Sequence, residues 1–429
     1  MGASRRGVIL GAGALAAAAG GAQAATAGAG PDPSWFQAVL ERYAGFGEKA
    51  SGGPGDTACG AWLEAELAGL GYGCERQAFE VPYAEVRTAR LMVGDHQATV
   101  FPQALVVPTG PGGLSAPLRL ASSDGGLDGA IALIVLPFRR WVSLAEPAVS
   151  RALTDAFSRG AAAAVLVTTG PTGEAVALNV SATAPGFGKP VAVLAPKDAE
   201  PFLAAARRGQ GATLIVDAAS GRRPAFNLIA RLDRGAPKTL IVTTPRSGWH
   251  SCVAERGSGL AVWLSLAHGL AAAAPGVNLE FVATSGHEYI YLGGEQYLEH
   301  RAPRPAATRM WLHIGASAAA RDWHEFGGRL RPLPSADPQR VLTATPEVID
   351  AVRAAFQGIS GLEAVYPADR AHAGGELVNV IEAGYAPAIG QYGGHRYFHT
   401  AGDDLRCVSG DLVAPVAAAF RAAIAASLA

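Results

Sequence analysis

The chain has 429 residues, enough for two domains that each bury a core of their own. Charged residues are 17% of it and the formal net charge is -1, which speaks against a nucleic-acid surface or a charge-driven partner. Four cysteines, Cys59, Cys74, Cys252 and Cys407, form no C-x-x-C pair, so neither a thiol redox motif nor a cysteine zinc site is supported; a Cys59–Cys74 disulfide stays open.

The N-terminus reads as a targeting segment. Arg5-Arg6 precedes an apolar stretch through Ala19, and Ala22-Gln23-Ala24 offers a small-residue cleavage site. The stretch is too short and too rich in Gly and Ala for a good membrane span. Residues 1–26 are therefore expected to be a twin-arginine signal peptide. The mature protein is expected in the periplasm or secreted, with no stable membrane insertion.

Helical spacing follows over Trp35 to Phe46. A second helix is predicted from a cap at Asp56-Thr57 through Leu70, ended by Gly71, and Arg76 to Val81 alternates like a strand. From about residue 83 to 223 the texture changes to Gly, Pro and short aliphatic runs. Ile131–Leu136, Ala163–Val167, Pro190–Leu194 and Ala212–Val216 read as strands, with helices over Ala152–Gly160 and Asp198–Arg208. This stretch carries few residues suited to catalysis and reads as a β-rich domain inserted into a main domain made of 27–82 and 224–429.

From Asn227 the chain alternates strand and helix. Strands are predicted at Thr239–Thr244, Val277–Thr284, Met310–Ile314 and Ala386–Ile389. Helices are predicted at Gly259–Ala274, Glu295–His300, Pro346–Phe356, Glu376–Ala383 and Leu412–Leu428. The fold class implied is α/β with a helix-covered, mostly parallel sheet. In such sheets catalytic groups collect at strand ends. Four strand ends carry suspicious residues: Pro245 to Gly259, His287-Glu288, His313, and Gly393 to Asp404. Imidazoles and carboxylates at successive strand ends converge on one edge, as in a zinc site assembled from distant sequence. Ser247 and Ser258 lack a G-x-S-x-G context, and no phosphate loop or dinucleotide fingerprint follows a strand.

The order of these segments resembles the zinc aminopeptidase family with co-catalytic metals, whose relatives include glutamate carboxypeptidase, glutaminyl cyclase and the transferrin receptor. Asn227-Leu228-Ile229-Ala230 resembles its N-V-I-A entry strand. Glu255-Arg256-Gly257-Ser258-Gly259 resembles its D-N-x-S-G helix start. His287-Glu288-Tyr289-Ile290-Tyr291-Leu292-Gly293-Gly294 resembles its E-E-x-G-L-x-G-S loop, and His399-Thr400-Ala401-Gly402-Asp403 its H-T-x-x-D loop. The insert resembles the protease-associated domain common in that family, including the run Gly160 to Val165.

The residues that carry chemistry depart from the family pattern. The resemblance puts Thr244 where the first metal histidine belongs, Arg246 at a supporting aspartate, Glu255 at the bridging aspartate, His287 at the general-base glutamate and His313 at an aspartate ligand. Glu288 and His399 are retained. It thus implies a one-metal site, most simply zinc, held by Glu255, Glu288, His313 and His399, with Arg246 supplying charge beside a vacated position. His287 is then a proton-transfer group, or a residue that only hydrogen-bonds a ligand. His313 is a fourth ligand or a core histidine. Arg246 alternatively bridges Glu255 and Glu288, so that no metal is needed. His250 and Cys252 are weaker substitutes for lost ligands; Asp369, Arg370, His372, His395 and Tyr397 are candidates for the substrate side. Three functions compete: a zinc-dependent hydrolase of peptide or small amide substrates, an inactive relative that binds a peptide or protein, and a glutaminyl-cyclase-like acyl-transfer enzyme.

Overall fold

A computed structural model describes residues 30–428 apart from 104, 184, 185 and 275. The expected signal peptide over residues 1–26 lies outside the described residues. Helices α1 (Pro33–Ala44) and α2 (Pro54–Gly69) lead into a long strand β1 (Gly73–Val93). Then come β2 (His96–Pro102), β3 (Gly110–Leu120), β4 (Ile131–Val135), α3 (Pro147–Ser158), β5 (Ala163–Val167), β6 (Val191–Leu194), α4 (Glu200–Arg207) and a second long strand β7 (Gly211–Leu232). The remainder is β8 (Thr239–Pro245), α5 (Ser258–Ala273), β9 (Asn278–Thr284), α6 (Leu292–His300), β10 (Thr308–Ile314), the hairpin β11 (Arg321–Phe326) and β12 (Arg329–Ala336), β13 (Arg340–Ala344), α7 (Ile349–Ala355), β14 (Val365–Pro367), α8 (Leu377–Glu382), β15 (Ala388–Gly393) and α9 (Gly410–Leu428).

Strands β9, β8, β10 and β15 are parallel neighbours in that order, the helix-covered centre expected from the alternation. β8, β9 and β10 are buried along nearly their whole length, as a sheet covered on both faces requires. Helix α5 packs here because its residues Ser258–Ala267 are all buried; a helix apolar all round has nowhere else to go. Helix α9 is long and apolar enough to cross a membrane. Its Val413, Val416, Phe420 and Ile424 nevertheless lie in the same core as α1 and α5.

β1 and β7 pair antiparallel from Gly73↔Arg231 to Met92↔Thr213, with one bulge between Val86 and Thr88. They run through the expected boundaries at 83 and 223 as one ribbon. The central strand β9 pairs with the C-terminal half of β7, while β3 pairs with its N-terminal half. Cores form on both sides: one around Phe281 and Trp263, others around Leu133 and Phe202 and around Trp141 and Leu166.

Two expectations change. The α2 start is set by Gly53 and Pro54, not by an Asp56 cap; the Asp56 side chain is buried and used elsewhere. Strands β2, β3 and β11 to β14 have no counterpart in the sequence reading, because their short or mixed sequences leave no aliphatic run; β13, though mostly buried, reads Arg-Val-Leu-Thr-Ala. Cys59 and Cys74 are free thiols.

Phe281 is fully buried and meets both Tyr72 and Trp263 edge to face, at 5.6 and 5.5 Å. Phe281→Ala is expected to cost about 3–5 kcal/mol of unfolding free energy. Denaturant titration with an unchanged slope checks it.

Candidate functional site

The parallel order of β9, β8, β10 and β15 puts their C-terminal ends on one edge, and the four suspect segments meet there. Glu255 lies in a π-helical turn, Val253–Gly257, between β8 and α5, entered through Cys252 in the left-handed region at φ 39. The Asp403 carboxylate holds the turn, accepting from the amides of Ala254 at 2.8 Å and Glu255 at 3.0 Å. His399 also has a left-handed backbone, φ 58, and its ring stacks on Phe398 at 4.0 Å. Unfavourable backbone at such positions persists only where surrounding structure enforces it.

Glu255 is the centre of the charge distribution. Its Oε1 is 2.7 Å from Nη2 of Arg256 and 3.3 Å from Nε2 of His399. Burial pushes its pKa up, but Arg256 and His399 more than reverse this and bring it to about 2. The Arg256 Nε donates to the Ser247 carbonyl at 2.9 Å, while its Nη1 has no hydrogen-bond partner. Both Glu255 oxygens and the His399 Nε2 likewise lack an aligned hydrogen bond.

Glu288 is committed elsewhere. One oxygen accepts from the Ser51 amide at 2.9 Å; the other accepts from the Ser51 and Ser247 hydroxyls, both at 2.7 Å. Burial raises its pKa against the effect of these bonds. His287 Nδ1 lies 3.2 Å from Glu376 Oε1, which also accepts from Thr284 Oγ1 at 2.8 Å. Burial and then Arg256 hold the His287 pKa well below the usual imidazole range. His313 Nδ1 is 2.9 Å from Thr243 Oγ1, and its Nε2 is unpartnered; burial lowers its pKa to about 4. Thr244, at the position of the expected first metal histidine, donates to the Ile314 carbonyl at 2.8 Å.

Arg246 is not beside these groups. Its Nε pairs with Asp56 Oδ1 at 3.0 Å, and its Nη1 and Nη2 donate to the carbonyls of Ala283 and Phe226 at 2.7 and 2.6 Å. It bridges neither Glu255 nor Glu288. The guanidinium on Glu255 belongs to Arg256, which the sequence reading quoted in a motif without a role. Glu376, Ser51 and Asp56 were also missed as site groups. Glu376 follows Gly374-Gly375 in a loop, and only the fold carries it to His287. Asp369, Arg370 and His372 pair at the surface, His372 with Asp369 and Arg370 with Glu382. Cys252 Sγ is 3.2 Å from the Tyr43 hydroxyl, and His250 packs on Phe101 at 5.0 Å.

The segment Glu174 to Val180 roofs this edge. Ala177 and His399 exchange two bonds, amide to carbonyl at 2.9 Å and Nδ1 to the Ala177 carbonyl at 2.9 Å. The Val180 amide donates to the Glu288 carbonyl at 3.0 Å, and Glu174 accepts from the Gly402 amide at 2.9 Å. His287, Glu288, Glu255, His313 and His399 are all buried. An open groove of about 510 Å³ is lined by Phe138, Arg139, Arg140, Pro171, Gln339 and Arg396.

These residues do not fit a zinc ion as the resemblance implies. Glu255 and His399 supply two adjacent ligand atoms; Glu288 already accepts from three donors, and a guanidinium already neutralises Glu255. Among the described residues, the one group of three His, Cys, Asp or Glu with ligand atoms within 4.8 Å of each other is His395, Asp403 and Cys407.

No protein-family model matches the chain, and no curated protein matches its sequence. Solved structures do. A zinc aminopeptidase from Bacillus subtilis superposes with a TM-score of 0.69 at 17% identity, over 92% of this chain and 94% of that one. A peptidase M28 precursor from Shewanella amazonensis gives 0.70 at 17%, over 91% and 92%. An aminopeptidase from Aneurinibacillus sp. strain AM-1 gives 0.65 at 16%, over 92% and 93%. The α/β fold expected from the resemblance is the fold of this chain.

Two outcomes follow from the buried charges. Arg246→Met strands the Asp56 carboxylate and is expected to cost about 3–5 kcal/mol, read by thermal and denaturant unfolding. His313, with its native pKa depressed from 6.5 to about 4, binds a proton when unfolded but not when native between those values. Stability should therefore fall as pH drops from 6.5 toward 4, and His313→Asn should flatten that part of the profile.

Proposed function

We propose that this chain is an exported protein of the aminopeptidase fold that binds a peptide or related carboxylate-bearing ligand and does not carry out zinc-dependent hydrolysis at the Glu255–His399 edge. The observation that carries this is the Arg256 guanidinium seated on Glu255 inside a fully buried site. A fixed organic cation there supplies the positive charge that a metal would otherwise bring, and a second cation beside it meets like-charge repulsion in a medium of low dielectric. The ligand class rests on the open groove. Arg139, Arg140 and Arg396 line it, Arg139 paired with Glu146 and Arg140 with Asp337, and Phe138 is 72% exposed. Guanidinium groups clustered next to an open aromatic ring suit a carboxylate on an apolar or peptide body.

Export rests on Arg5-Arg6 and Ala22-Gln23-Ala24. The division into an inserted unit over 83–223 and a main unit over 27–82 and 224–429 is supported by their separate hydrophobic cores.

A second reading, the one-zinc hydrolase with Glu255, Glu288, His313 and His399 as ligands and His287 as proton carrier, draws on one observation. The Nε2 atoms of His399 and His313 are buried and unpartnered. Assay of the full mature chain on aminoacyl anilides and dipeptides, with zinc added or chelated, separates the two. The binding reading expects no turnover above the uncatalysed rate in either condition. It also expects calorimetric binding of acidic peptides that falls at least roughly tenfold in Arg396→Gln, the loss of one charge-assisted pair. Turnover that disappears on chelation and in His399→Ala would instead establish the hydrolase.

A further inference from the structure

We propose that His395, Asp403 and Cys407 form a buried structural zinc site, separate from the Glu255–His399 edge and placed directly behind it. Their ligand atoms all lie within 4.8 Å of one another, and their exposures are 0%, 1% and 0%. All three belong to the connection between β15 and α9, so one segment supplies the whole set.

The case rests on the orientation of His395. Its Nδ1 is 2.9 Å from the Ser317 hydroxyl, and its Nε2 lies 3.4 Å from Asp403 Oδ1 with no aligned hydrogen bond. When Nδ1–H donates to Ser317, the Nε2 lone pair faces the Asp403 carboxylate. Two lone pairs at that separation inside a protein repel unless a cation, a proton or a metal ion, lies between them, and the poor hydrogen-bond alignment favours the metal ion. A hydroxyl or carbonyl partner on the far nitrogen is also how metal-bound histidines are commonly oriented. Asp403 is preorganised by the Ala254 and Glu255 amides, and each oxygen keeps a further lone pair. Cys407 Sγ has one weak contact, to the Gly402 carbonyl at 3.4 Å. Imidazole, carboxylate and thiolate together suit a borderline-soft divalent ion, zinc above calcium or magnesium. Binding releases the Cys407 thiol proton to solvent and forms a sulfur–metal bond, with no change of oxidation state.

The consequence is mechanical. Asp403 joins this trio to the π turn that carries Glu255, and His399 sits in the same segment. An ion here ties the loop after β15 to the start of α5.

The test uses the full mature chain, purified from zinc-supplemented medium and in parallel after cobalt substitution. One zinc per chain is expected, and the cobalt protein should show the near-ultraviolet band of thiolate-to-cobalt charge transfer. Cys407→Ser should lose the band, and His395→Ala should lose the metal. Glu255→Gln, His399→Ala and Cys252→Ser should keep both. Because Cys407→Ser could fail to fold, the wild-type cobalt spectrum stands as an independent reading. Protein that takes up neither metal, cobalt protein without the band, or metal that follows Glu255 and His399 instead of Cys407 overturns the proposal. None of these outcomes depends on whether the chain hydrolyses peptides.

Discussion

The pair formed by Glu255 and Arg256 is the constraint around which the rest of the edge is arranged. Both side chains are fully buried, so each is stable as an ion only because the other is there. Adjacent residues in a helix do not ordinarily face each other. The π turn over Val253–Gly257 changes the local pitch and allows the contact, and Asp403 fixes that turn through two amides. His399 then leans on Glu255, and its own strained backbone is held by Ala177 from the roof.

Charge is distributed so that each buried ion has a local answer. Arg246 and Asp56 close on each other just past the end of β8 and are capped by strand carbonyls, which removes Arg246 from the site it borders in sequence. Glu288 is solvated by three donors from Ser51 and Ser247, and those donors replace what a metal or water would otherwise provide. Burial lowers the pKa of both His287 and His313, for His287 despite the Glu376 carboxylate 3.2 Å from its Nδ1, whose own pKa burial raises. The result is a fold shared with zinc aminopeptidases whose central edge is organised by hydrogen bonds and a guanidinium.

The roof adds a second constraint. Residues Glu174 to Val180 hydrogen-bond to His399, Glu288 and Gly402, so this segment is tied to the strand ends of the sheet. Open space is found in the groove lined by Arg139, Arg140 and Arg396 with Phe138, Pro171 and Gln339.

By itself the sequence determined the fold class and the central elements. Long aliphatic runs such as Leu240–Thr244, Phe281–Thr284 and Met310–Ile314 have little choice but to be buried strands, and the apolar stretch after Ser258 little choice but to be a buried helix. It also brought Glu255, His287, Glu288, His313 and His399 to one edge, because alternation with helices makes the strands parallel and parallel strands put their C-terminal ends together whatever their order. What only the tertiary structure decided is which of these touch. Arg246 and Arg256 are each a short step from a candidate carboxylate along the chain, yet Arg246 turns to Asp56, from a helix nearly two hundred residues earlier, and Arg256 takes Glu255. The same holds for Glu288 with Ser51 and for His287 with Glu376. Side-chain partners across a core depend on packing and on where desolvated charges find the nearest counter-charge, and neither quantity has a local period in sequence.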